Sequence, residues 1–121
     1  MTKENEVSTE PGIVQIIKAK IELHSGDSVE RQAFKDAADL ARFSAIKTRL
    51  RGDVAIRQNE AAIAEVNGRI DIGSENAGYK DALRDGEGLI TAYAETIRFR
   101  SPAIANHELV AANSFKIMLR Y

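Results

Sequence analysis

Four residues with the chemistry of a nucleophilic site, His24, Ser25, Asp27 and Ser28, crowd into five positions. A serine nucleophile needs an imidazole held between it and a carboxylate, and such groups converge from separate chain segments. Neighbours on one turn do not converge in this way. Helix capping and turn formation account for all four. Metal chemistry has little to draw on, with two His and no Cys. His107-Glu108 lacks the second histidine of a metalloprotease helix. Asp36 and Asp39 share a helix face at a spacing of three, and Asp81 and Asp85 at a spacing of four. Lys35 and Arg42 lie near the first pair and Arg84 near the second, so both pairs read as solvated charged faces. Carboxylate pairs transfer protons only where a cleft raises a pKa. Gly86-Glu87-Gly88 is too short for a phosphate loop. Arg51-Gly52-Asp53 reads as a helix stop followed by the next cap. No catalytic, metal or cofactor site is expected from these residues.

One segment carries a local charge excess. Arg42, Lys47, Arg49, Arg51 and Arg57 are opposed only by Asp53 between positions 42 and 57. They span the end of one expected helix and the start of the next, and cations there complement the first helix's dipole. The segment is the candidate contact site for a partner or for nucleic acid. Phe43 is the one aromatic residue interleaved with it.

Composition bounds what such groups can be built on. The chain has 121 residues, 17 Lys+Arg against 18 Asp+Glu, and a formal net charge of -1. That balance argues against a generic polyanion binder. Without Cys there is no disulfide framework, zinc finger or thiol nucleophile. An apolar fraction of 44% is too high for a disordered chain. One globular domain over 12–121 is expected, preceded by a flexible leader over 1–11 that ends in the turn signal Pro11-Gly12. The polar, acidic N-terminus has no signal-peptide core, and the apolar runs are too short to span a membrane, so a cytoplasmic location is expected.

The elements follow from periodicity. Ile17, Ala19, Ile21 and Leu23 alternate with Lys18, Lys20, Glu22 and His24, which predicts a strand over 13–24; Ile13, Ile17 and Ile21, spaced by four, give a helix as the rival. Asp27, with Glu30 three residues on, resembles a capping box for a helix from about Ser28 to Arg51. A second helix runs from a cap at Asp53 to Gly68, on a stripe of Ile56, Asn59, Ile63, Val66 and Ile70. Asn59 either fixes register inside that seam or, as preferred here, sits at its exposed edge. After a short extended Ile70-Asp71-Ile72-Gly73, Ser74 caps a third helix with Tyr79, Leu83, Gly86, Ile90, Tyr93 and Ile97 at helical steps. Gly86 and Gly88 either break it or admit a close neighbour. Ser101-Pro102 opens a fourth helix ending near Asn113. Phe115, Ile117, Leu119 and Tyr121 then alternate as a C-terminal strand. The stretch from Ile16 to Ser25 is similar to the opening strand of the ferredoxin-like RNA-binding proteins of CRISPR complexes. It covers ten residues, lacks their glycine-rich loop, and nothing is carried over from it.

The expected fold is therefore α+β and mainly helical: a strand, about four helices and a strand. An all-α bundle is the alternative. Two terminal strands leave open edges, which predicts a homodimer joined through them. The expected function is a small non-catalytic interaction protein, such as an adaptor, an assembly component, an inhibitor of a larger machine or a phage accessory protein. Another protein is the expected partner, with no membrane partner. The alternatives are a nucleic-acid-associated protein using the 42–57 segment, and a small enzyme with a carboxylate pocket and Tyr79 or Tyr93.

Overall fold

The computed structural model describes residues 3–24 and 27–120, with side chains over 12–23 and 27–120. Five helices follow one another: α1 (Lys3–His24), α2 (Ser28–Ile46), α3 (Asp53–Gly73), α4 (Ala77–Arg100) and α5 (His107–Met118). A 3₁₀ turn, Lys47–Arg49, extends α2. There is no strand among the described residues, so the expected α+β fold gives way to the all-helical alternative.

Both terminal segments show why. Among the described side chains of α1 the buried ones are Ile17 and Ile21, one helical turn apart, with Ile13 partly buried beside them. Leu23, which a strand would have buried, is 76% exposed. At the other end Ala111, Ala112, Phe115, Met118 and Leu119 are buried at helical steps, while Ile117 stands 56% exposed. Alternation and the four-residue step share half their positions in short segments, and burial follows the step of four. The resemblance noted for 16–25 loses its basis, because α1 is helical through His24. The expected pairing of edge strands has none to work with among the described residues. Pro11 and Gly12, the turn signal, lie within α1.

The core is a tight trio. α2, α4 and α5 each pack on the other two. Buried alanines on all three (Ala33, Ala37 and Ala38; Ala82 and Ala94; Ala111 and Ala112) let the backbones approach closely. Phe34 and Phe115 fill the centre, their rings tilted by 54° with centroids 5.6 Å apart. α4 is unbroken at Gly86; a β-carbon there would come within 3.3 Å of Ala37 and Phe34, so its role is close approach. The Arg31 guanidinium donates to the Leu119 carbonyl, an orphan acceptor at the end of α5. α1 lies across α4, α2 and α5.

Capping differs from the sequence reading at three helices. Asp27 does cap α2, its carboxylate accepting from the N–H groups of Val29 (2.9 Å) and Glu30 (3.2 Å). α3 begins one residue after Gly52, whose φ of 88° is a left-handed conformation that suits glycine. It continues through the expected break at Gly68 to Gly73. Asn76, not Ser74, caps α4 by accepting from the Tyr79 N–H at 3.1 Å. α5 starts after Asn106, well beyond Ser101-Pro102.

α3 packs chiefly on α2 and buries only Asn59 and Val66. Asn59 is buried rather than at an exposed edge, and its amide donates to the Phe43 carbonyl at 3.1 Å. The carbonyl lies where α2 tightens into the 3₁₀ turn, the Lys47 N–H turning to Ser44. A side-chain donor there satisfies a helix-end acceptor.

Candidate functional site

The most developed site lies where the start of α2 meets the end of α3. A cleft of about 600 Å³ opens there, walled by Val29, Ile72, Gly73 and Tyr79, with Gln32 and Asn76 among its polar groups. The volume is in the range of small-ligand sites. Its shape depends on Gly73: a β-carbon there would fall 2.6 Å from the Tyr79 ring. Glycine at the last turn of α3 thus lets the ring lie against the backbone.

At the floor, Asp36 is fully buried. Its carboxylate accepts from Tyr79 Oη at 2.6 Å, Gln32 Nε2 at 2.9 Å and Arg69 Nε at 3.0 Å. Arg69 extends the network, its second nitrogen donating to Asp39 at 3.3 Å and a third lying 3.5 Å from Glu65. Asp39 also accepts from Lys116 at 2.7 Å and Arg42 at 3.2 Å. Six charged side chains from α2, α3 and α5 therefore form one network, Asp36, Asp39 and Glu65 set against Arg69, Lys116 and Arg42. This corrects the reading of Asp36 and Asp39 as a solvated face: one is fully buried and the other mostly so.

The network fixes what the floor can do. Burial, then the hydrogen bond to Asp36, pushes the Tyr79 phenol well above its ordinary value of 10. The hydrogen bond to Asp36 likewise raises Arg69. Tyr79 keeps its proton at neutral pH and directs it at Asp36, so it is neither a base nor a nucleophile there. All three guanidinium nitrogens of Arg69 face carboxylates. With its polar floor occupied internally, the cleft suits an apolar group.

A pH dependence follows. Tyr79 ionises at a higher pH in the folded chain than in the unfolded one, where about 10 applies. Its contribution to stability is full below pH 10 and is lost as pH rises from there toward the folded value. In alkaline titration, one tyrosine's phenolate absorbance should appear together with loss of helical circular dichroism. Tyr79→Phe should remove that component. A phenolate signal from Tyr79 that develops fully while the helices remain intact contradicts the assignment.

The candidate basic residues are not one group. Arg42 is drawn into the network, donating to Asn113 at 2.9 Å and Asp39, with its guanidinium 5.5 Å from the Phe43 ring centroid. Lys47, Arg49, Arg51 and Arg57 are exposed. Arg51 donates to the neighbouring Leu50 carbonyl at 3.3 Å. Lys47, Arg49 and Arg57 form no ion pair among the described residues. Of the serine–histidine cluster, Asp27 is a cap, and Ser25 and the His24 side chain lie outside the described residues. Tyr93 packs against the core, half-buried. Among the described residues no cluster of three or more His, Asp or Glu could hold a metal ion, and no helix is long and apolar enough to cross a membrane.

Sequence reasoning passed over Arg69, Lys116 and the depth of Asp36. The signal for Asp36 was its position seven residues from both Val29 and Phe43, on the apolar stripe. Nothing in the sequence pointed to Lys116 once its segment read as a strand. No family model, no curated protein and no solved structure matches the chain.

Proposed function

We propose that the protein is a small non-catalytic interaction protein, of the adaptor or assembly kind, that self-associates through the open side of α3; the cytoplasm is its proposed compartment. One observation carries the reading. α3 rests chiefly on α2, and its isoleucine row is incompletely covered: Ile56 is 39% exposed, and Ile63 and Ile70 are half-buried. The three are seven residues apart, the spacing at which helices pack side by side. The row is symmetric about Ile63. An antiparallel second copy sets Ile63 against Ile63 and Ile56 against Ile70, the self-complementarity a two-fold dimer needs. The saturated Asp36 floor supports the non-catalytic part of the reading.

Ile63→Glu tests it. Light scattering of the wild-type chain at micromolar concentration should give the mass of two chains. The variant should give the mass of one, with helical circular dichroism unchanged, and its dimer dissociation constant should rise by at least about tenfold, since a charge facing its own copy has no partner. A wild-type mass of one chain throughout the micromolar range overturns self-association.

A further inference from the structure

We propose that the end of the bundle where the turn after α2 meets the end of α4 binds single-stranded nucleic acid, with cations on the phosphates and Phe99 under a base. Two surfaces distant in sequence meet there. Arg98 shares a cavity of about 290 Å³ with Ser44 and Ala45, which brings the end of α4 beside the end of α2. Lys47, Arg49, Arg51 and Arg57 project from the same end of the α2–α3 pair, all exposed. The overall charge of -1 averages this local excess with carboxylates placed elsewhere, since only Asp53 falls between positions 42 and 57.

Phe99 supplies what the basic segment lacked when read alone. It is 91% exposed, more than any other large apolar residue described, and stands between Arg98 and Arg100. Among the described residues Arg98 pairs with Glu95 alone, at 3.6 Å, with both side chains about 60% exposed. Such surface pairs are weak and yield readily to a phosphate. An aromatic ring in water beside arginines offers a stacking platform for an unpaired base, and the cations track the backbone. A duplex keeps its bases stacked, so the exposed ring favours a single strand. By helix geometry Arg57 projects roughly 100–140° round α3 from the isoleucine row, so this surface is separate from the proposed dimer contact.

The test is fluorescence anisotropy of a labelled oligothymidine with the full chain across a salt series, repeated in the Ile63→Glu background so that loss of self-association is not mistaken for loss of this site. Five phosphate contacts, from Lys47, Arg49, Arg51, Arg57 and Arg98, predict a slope of log K against log salt of about -3.5 for a single strand. Arg49→Ala with Arg51→Ala should lower the slope's magnitude by about 1.4. Phe99→Ala should weaken binding on the order of tenfold and leave the slope unchanged. These side chains are exposed, so circular dichroism should match the wild type. Tighter binding of the single strand than of a duplex of equal length supports the proposal. Absence of binding at low salt, equal binding of a polyglutamate peptide, or variants that bind as the wild type does would each overturn it.

Discussion

Asp36→Ala is expected to destabilise the protein by about 3 kcal/mol, at the lower end of what breaking a buried ion pair costs. The carboxylate is fully buried and holds three donors from α2, α3 and α4. Truncation leaves the Tyr79 hydroxyl buried without an acceptor, and an orphaned buried polar group costs about 1–3 kcal/mol. Arg69 softens the loss. Its side chain is 37% exposed and keeps Asp39 and Glu65, so its charge is not stranded. Against a total stability of about 5–15 kcal/mol, the change is large enough to read from urea unfolding. Asp36→Asn should cost less, because an amide can still accept from Arg69 while donating to the phenol oxygen. The pairwise part comes from a cycle with Tyr79→Phe. If the hydrogen bond is a main term, the double variant should be less destabilised than the sum of the singles by more than about 0.5 kcal/mol. Additive losses would reject the coupling of Asp36 to Tyr79.

The same residue shows how far the sequence could be read. Helical stripes in the middle of the chain were legible because their apolar residues recur at three and four over long stretches, as from Tyr79 to Ile97. Asp36 lay on such a stripe, but a carboxylate flanked by Lys35 and Arg42 also fits a solvated face. Only Arg69, 33 residues away on α3, decides between the two. That partner is set by tertiary packing, which local spacing does not encode. The terminal segments failed for a different reason. Over eight to twelve residues, Ile17 and Ile21 satisfy both periods, and Leu23 tips the count toward a strand although it ends in solvent.

The boundaries misread a third kind of signal. Gly68 and Gly73 are both glycines on α3, and the chain was expected to stop at the first. A stop signal is only permissive, and burial of Val66 just ahead of Gly68 holds the helix to the bundle as it runs on to Gly73. The basic segment was found by composition alone, yet composition could not show that Arg42 turns inward to Asp39 and Asn113.

The two α3 glycines make the last prediction, because the same substitution should act in opposite directions. At Gly68 a β-carbon meets nothing within 4 Å, and the residue sits inside the helix. Gly68→Ala should therefore stabilise by up to about 1 kcal/mol, through helix propensity and a less free unfolded chain. At Gly73 the same β-carbon would lie 2.6–2.7 Å from three ring carbons of Tyr79. The propensity gain is smaller at the last residue of the helix and cannot offset that overlap, since overpacking alone costs about 1–3 kcal/mol. The ring cannot simply swing away, because its hydroxyl is tied to Asp36 at 2.6 Å. Moving it gives up a hydrogen bond to a charged acceptor, about another 1.5–3 kcal/mol if the bond breaks outright. Gly73→Ala should thus destabilise by about 2–4 kcal/mol, and in a Tyr79→Ala background, where the ring is gone, most of that added penalty should vanish. Urea unfolding of the five chains, wild type included, decides the matter: a Gly73→Ala variant as stable as Gly68→Ala would mean that the ring does not rest on the α3 backbone, and that the cleft wall is built otherwise.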